Sequence, residues 1–94
     1  MRRVTVVEVP MPRGKLSFCS ADEILGVGLM FDEIQGYRPI LWVLRDPEHG
    51  LFQPYYFRVV GNDEDIPDRA DIRYIGTARE GHLVFHVFEE KVRR

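Results

Sequence analysis

The sequence predicts an all-β fold: an antiparallel six- or seven-stranded small barrel or strongly bent sheet, with little helix. Five short runs alternate their side chains with the two-residue period of a β-strand, and turn residues separate them. The runs are ILGVGLMF, PILWVLRD, PYYFRVVG, RYIGTA and HLVFHVFE. Ringed and branched residues occupy both faces of the predicted strands, which favours a closed or bent arrangement over a flat sheet.

The N-terminal third of the chain is predicted to contain three strands. Residues 3–9 form the first, and Pro10 and Pro12 end it because proline cannot donate a backbone hydrogen bond to a ladder. A short second strand is expected at 15–19 and a third at 24–31, where β-type residues resume.

The rest of the chain is predicted to contain four further strands, separated by turns rich in Gly, Pro, Asn and Asp. The strands are 39–45, 52–60, 72–79 and 83–89, and the turns between elements are 32–38, 46–50, 61–70 and 80–82. The chain has no internal repeat and no linker, so 1–94 is expected to be one domain.

Gly26-Val27-Gly28 is the only Gly-x-Gly sequence in the chain. A dinucleotide-binding fingerprint would need a third glycine and a helix directly after it, and neither follows. Because glycine interrupts strands at bulges and where a neighbour approaches the backbone closely, the motif predicts one of these two features.

Two faces follow from the alternation of the last four strands. The predicted core face is Ile40, Trp42, Leu44, Tyr55, Phe57, Val59, Ile72, Tyr74, Leu83, Phe85 and Val87. The opposite face mixes cations, rings and aliphatic residues, namely Val43, Arg45, Tyr56, Arg58, Val60, Arg73, Ile75, Val84, His86 and Phe88. A binding function is expected on this second face.

The composition is that of an ordinary globular protein, with 45% hydrophobic and 30% charged residues. No apolar run approaches the ~18 residues of a membrane span, and Glu8 and Pro10 interrupt the N-terminal apolar stretch before a signal peptide could form. A single cysteine, Cys19, permits no intrachain disulfide. The expected location is cytoplasmic. A net charge of −2 argues neither for strong nucleic-acid binding nor for DNA mimicry.

Catalytic and metal-binding signatures are missing from the sequence. His49, His82 and His86 have no partner at ligand spacing, and the acidic segment 62–68 lacks the spacing of a calcium loop. No nucleophile elbow, Cys–His signature or recognisable carboxylate pair is present. We therefore expect no enzyme activity, no cofactor and no metal.

The most suggestive cluster is a set of cationic and aromatic side chains on the second face. Guanidinium groups pair with phosphate or carboxylate, and rings stack on bases. Salt bridges to Asp46, Glu48 or Glu89 on a solvated sheet explain the same residues more simply. The predicted binding residues are Arg45, Tyr56, Arg58, Arg73 and His86.

From Ile24 to Glu89 the chain resembles a small uncharacterised domain family of bacteriophages and their bacterial hosts. The motifs that carry the resemblance are Ile24-Leu25-Gly26-Val27, Leu41-Trp42-Val43-Leu44-Arg45-Asp46-Pro47, Phe57-Arg58-Val59-Val60-Gly61, Ile66-Pro67-Asp68, Tyr74-Ile75-Gly76-Thr77 and Val84-Phe85-His86-Val87-Phe88-Glu89. The chain departs from the family at Gly61-Asn62-Asp63-Glu64, where such sequences read Gly-Thr-Gly-His. The resemblance implies a phage or prophage accessory protein and no particular activity.

Two functions remain open from the sequence. The first is a non-enzymatic binding module that engages a host protein through the mixed face or an exposed strand edge. The second is binding of nucleic acid or a phosphorylated small molecule by the arginine and tyrosine face. Self-association as a homodimer is also expected because too many apolar residues fall on the outer face. These residues are Val43, Val60, Ile75, Val84 and Phe88.

Overall fold

The structure, a computed structural model, describes residues 1–46, 48, 50–66 and 71–91. Predictions for the remaining positions, including His49 and the end of the loop 61–70, lie outside the described residues. The strands are β1 (Arg3–Glu8), β2 (Arg13–Cys19), β3 (Glu23–Asp32), β4 (Gly36–Arg45), β5 (Phe52–Val60), β6 (Asp71–Glu80) and β7 (Leu83–Lys91). The all-β prediction is confirmed, and no helix occurs in the described ranges.

The seven strands form two antiparallel sheets that do not close into a barrel. The three-stranded sheet has the order β1-β4-β3, and the four-stranded sheet has the order β2-β5-β7-β6. β3 lies beside β6, where Gly76 meets Val27: a Cβ at Gly76 would stand 2.8 Å from the Val27 Cγ2 atom. No helix in the described part of the chain is long and apolar enough to cross a membrane.

The core lies between the inner faces of the two sheets. Leu41 and Val43 of β4 meet Phe57 of β5 and Val87 of β7, and all four side chains are fully buried. Phe18 packs edge-on against Phe57 with the ring centroids 6.0 Å apart. Because β5 and β7 carry their apolar residues at alternate positions, their predicted inner faces (Tyr55, Phe57, Val59, Phe85 and Val87) are confirmed.

The predicted core face of β4 is wrong at Trp42, although Ile40 is buried as predicted. Leu41 and Val43 face the core, whereas Trp42 is 41% exposed on the outer face. The reason lies in β3: Gly26 and Gly28 are aligned with Trp42 and Ile40, and a Cβ at Gly28 would come within 2.4 Å of the Trp42 ring. Gly28 therefore makes room for the indole outside the core, and Gly26 follows a bulge in the same strand. Both features that the Gly-x-Gly sequence predicted, close packing and a bulge, are present.

β6 also departs from simple alternation, because a bulge shifts its register between Tyr74 and Gly76. The shift exposes Tyr74 and packs Ile75 against the core, the reverse of the prediction. Leu83, at the start of β7, is exposed as well, and Ile72 is only half-buried. A second bulge separates Ile24 from Gly26 in β3.

Asp32 closes the turn between β3 and β4. Its Oδ1 atom accepts hydrogen bonds from the backbone N–H groups of Ile34 (2.7 Å) and Gln35 (3.2 Å). Gly36 then adopts a φ of 78°, in the left-handed region that glycine tolerates best. The N–H groups of Ile34 and Gln35, together with the positive charge of Arg38, hold the pKa of Asp32 below its ordinary value of 3.8.

We expect the Asp32 carboxyl to titrate below pH 3.8 in the folded protein. Because the folded pKa is lowered, its contribution to the turn is complete above the unfolded pKa and is lost as the pH falls through the folded pKa. An NMR pH titration that follows the Ile34 and Gln35 amide signals measures this midpoint. A midpoint at or above the ordinary value would contradict the hydrogen bonding described.

Candidate functional site

The five predicted binding residues do not form one cluster. Tyr56, Arg58 and His86 lie on the outer face of the four-stranded sheet, because Arg58 is aligned with Phe88 and His86 with Val60. Arg73 precedes the bulge of β6 and is aligned with Glu89, on the opposite face of the same sheet. Arg45 ends β4 in the other sheet, with its guanidinium 5.4 Å from the centre of the Phe18 ring.

Two of these arginines are paired with carboxylates of β7. Arg58 bonds to Glu90 through its Nε atom, and both side chains are only 18% exposed. Arg73 lies 2.9 Å from Glu89 and borders a cleft of about 550 Å³ that Phe18 and Tyr55 also line. A ligand phosphate would have to displace these glutamates, so neither arginine is free to bind an anion.

His86 is held at both ring nitrogens. Its Nδ1 atom lies 2.8 Å from the Thr77 hydroxyl, which also contacts the Tyr74 hydroxyl, and its Nε2 atom lies 2.8 Å from the Asn62 carbonyl oxygen. The tautomer that satisfies all partners accepts at Nδ1 and donates from Nε2. The network ties the loop after β5 to the β6–β7 hairpin.

Hydroxyl, imidazole and amide follow each other in this network in the order found in hydrolase triads. All three hydrogen bonds are exposed on an open strand face, however. Stabilisation of a developing charge in catalysis needs a site that excludes water, and this face does not exclude it. The arrangement therefore favours a positioning role for His86. In a regular hairpin that turns at Gly81, Thr77 is aligned with His86. The contact between these two side chains was therefore predictable from the sequence.

The outer face of the three-stranded sheet carries a group of exposed apolar side chains. Val4 is 56%, Val6 55%, Trp42 41% and Met30 38% exposed, and we name these four residues the Trp42 surface. Val6 is aligned with Trp42 in the β1–β4 ladder, and Trp42 with Gly26 in the β3–β4 ladder. Isolated exposed apolar residues are ordinary, but residues adjacent on one sheet face indicate a contact surface.

Two ion pairs lie at opposite ends of the Trp42 surface. Arg2 lies 3.7 Å from Glu23 at one end, and Arg38 pairs with Glu8 at the other. An apolar centre with a polar rim is the usual organisation of a protein–protein interface. Since each ion pair is neutral, the face favours an uncharged apolar partner.

β1 is the edge strand of this sheet. Its hydrogen-bonded neighbour is β4, and no strand of the described ranges pairs with its other side. The strand reads Arg-Val-Thr-Val-Val-Glu: it is charged at its two ends, and its centre carries no charge, proline or bulge. Natural edges are usually protected by such features, as Lys15 within β2 protects an edge of the other sheet.

The residues on which the expected homodimer depended are not a free surface. Val43 is fully buried and Val60 nearly so, while Ile75 packs against the core. Val84 and Phe88 are half-buried. The second sheet covers part of this set, because β4 faces inward with the opposite parity from the one predicted. A different group of exposed apolar residues lies on the Trp42 surface.

The strands and surfaces together define a small two-sheet β domain with an open edge and an exposed apolar face. The family model for a domain of unknown function, DUF7352, matches residues 2–94, and the chain belongs to this family. This membership confirms the expectation of an uncharacterised domain family. No curated protein and no solved structure is significantly similar to the chain.

Proposed function

We propose that the protein is a non-enzymatic binding module that recognises another protein by pairing β1 with an extended segment of that partner. The observation that carries the proposal is the unprotected β1 edge, with Val4 and Val6 more than half exposed beside Trp42. An added strand gains backbone hydrogen bonds along the edge, and its alternate side chains contact the same face of the sheet.

The dimensions of β1 suit a short segment. Six residues at about 3.4 Å per residue give an edge of about 20 Å, which is the usual length of one strand. The Trp42 surface comprises four residues, whereas a standard stable interface uses roughly 20–30 residues of each partner. Backbone pairing therefore has to supply part of the affinity, and an isolated apolar contact would be weak.

The partner is proposed to be a host protein, because the sequence resembles phage-associated domains. The same resemblance is the basis for proposing a cytoplasmic location and an accessory role. A second copy of the chain is the competing occupant, since two β1 strands can pair antiparallel about a two-fold axis. The nucleic-acid or nucleotide alternative loses support at Arg58 and Arg73, which pair with glutamates, and keeps it at Arg45.

Replacing Val6 by lysine is expected to weaken partner binding at least about tenfold, because a charge on the exposed side of an edge strand opposes strand addition. The fold should tolerate the change to within about 0.5 kcal/mol, since the position is exposed. The measurement starts with a photo-crosslinking residue at Val4 to capture the partner from host lysate. Titration calorimetry of the purified partner against each variant then gives the affinity.

Leu83→Lys is the matched control, because Leu83 is an exposed apolar strand residue of the other sheet. It should leave the affinity unchanged. Equal binding by the wild type and Val6→Lys would overturn the β1 edge as the docking site. Light scattering that shows a concentration-dependent dimer lost in Val6→Lys would make the second copy the occupant in place of a host protein.

A further inference from the structure

Two arginines lie side by side on the inner face of the three-stranded sheet, where β1 begins and β4 ends. Arg3 of β1 and Arg45 of β4 are direct partners in the antiparallel ladder, and Thr5 follows Arg3 on the same side of β1. The three side chains line a cavity of about 350 Å³. Val4 and Val6 point to the opposite side of the strand, so this cavity is separate from the Trp42 surface.

The charges around this cavity are not balanced. Like charges directly opposite each other destabilise an antiparallel pair. Arg2, Arg38, Arg58 and Arg73 each pair with a glutamate, whereas Arg3 and Arg45 have no ion pair within the described part of the chain. Glu48 also lines the cavity, but its carboxylate contacts the N-terminal ammonium at 3.3 Å.

Two polar atoms of the cavity-lining side chains are buried without a hydrogen-bond partner. They are the Thr5 hydroxyl oxygen and the Arg45 Nε atom. Buried polar groups in native proteins are nearly always satisfied, so each unsatisfied group calls for an explanation such as a missing ligand. The aromatic face of Phe18 holds the Arg45 guanidinium in place, which reduces the entropy cost of binding.

We propose that Arg3, Thr5 and Arg45 form a binding site for the phosphate group of a small phosphate monoester. Its charge of about −1.5 to −2 at neutral pH would balance the two guanidinium groups. The arginines donate charge-assisted hydrogen bonds to the phosphate oxygens, and the Thr5 hydroxyl donates a further one after its side chain turns towards the cavity. The volume lies at the small end of the range of about 300–1,000 Å³ for ligand pockets, which suits a single phosphorylated metabolite.

Removing one arginine should separate ligand binding from stability. Arg3→Gln is expected to weaken binding of inorganic phosphate and glycerol 3-phosphate about 10- to 100-fold, because a charge-assisted contact is lost. The same variant should melt at an equal or higher temperature than the wild type without ligand, because the like-charge pair is removed. Thr5→Val, which keeps the side-chain shape, should weaken binding with little change of fold.

The experiment is an NMR titration of the full chain at low ionic strength with each of the two phosphates and with acetate. The control is Arg79→Gln, because Arg79 is an exposed arginine of the other sheet. We expect saturable shifts at residues 3–5 and 44–46 in the wild type and in the control. No saturable shift up to about 10 mM, or equal weakening in Arg79→Gln, would overturn the site.

Equal affinity for acetate would overturn the assignment to phosphate. Val6→Lys should bind phosphate like the wild type, since its side chain lies on the outer face. Loss of phosphate binding in that variant would contradict the proposal that the phosphate site is independent of the β1 edge. The phosphate site and the partner-binding edge can therefore each fail without the other.

Discussion

Phe57→Ala is expected to lower the free energy of unfolding by about 3–5 kcal/mol, the range measured for truncating large core aromatics. Phe57 is fully buried on β5 between the sheets, and its ring contacts the edge of Phe18. A small domain has a total stability of only about 5–15 kcal/mol, so a substantial fraction of this variant could be unfolded at 37 °C. Urea denaturation followed by far-ultraviolet circular dichroism measures the change.

Phe52→Ala serves as the control, because Phe52 begins the same strand and is 66% exposed. Its effect should remain within about 0.5 kcal/mol. If the two alanine variants unfolded at the same urea concentration, the inter-sheet core could not lie around Phe57. The comparison therefore tests the packing of the two sheets as well as one side chain.

Gly28→Ala is expected to destabilise the protein by about 1–3 kcal/mol, the usual cost of overpacking. A Cβ at Gly28 would overlap the outer atoms of the Trp42 ring, so the indole must move away from the sheet. Trp42 is the only tryptophan, and its fluorescence emission should shift to longer wavelength as the ring becomes more exposed. Urea denaturation gives the change in stability.

Gly26→Ala is a close control, because its Cβ would stand 4.0 Å from the nearest indole atom, an ordinary contact distance. Trp42→Ala should suppress the effect of Gly28→Ala, so the double-mutant cycle should show a coupling of about 1 kcal/mol or more. Equal effects of the two glycine substitutions, with no change of emission, would show that Trp42 does not lie over Gly28.

Strand positions were predictable from the sequence because alternation and turn residues are local signals. The β5 prediction, 52–60, agrees with the structure residue for residue, and the others differ only at their ends. Which face of β4 is buried was not predictable from that strand, since Ile40 to Leu44 are all apolar. Which face is buried depends on Gly28 in the neighbouring strand β3, because only a residue without a Cβ leaves space there for the indole.

The candidate sites were less predictable, because their partners come from distant segments. The sequence left salt bridges open as the alternative role of Arg58 and Arg73, and strand pairing places Glu90 and Glu89 beside them. Arg45 was identified, while Arg3 was only one of several basic residues near the terminus. Arg3 and Arg45 are aligned because β1 pairs with β4, although β2 and β3 lie between these strands in the sequence. A bulge such as the one in β6 further reverses the faces that alternation predicts.

The interleaved strand order also has a kinetic consequence. Among the described strands, only β3–β4 and β6–β7 pair as hairpins of consecutive strands. β1 can pair only after β4 is available, and β2 only after β5. Because distant pairings require loop closure before any contact forms, we expect folding in milliseconds to seconds, as in other all-β domains of high contact order. β1 pairs with a single neighbour, so its docking is expected to be a late step that begins only after β4 has emerged from the ribosome.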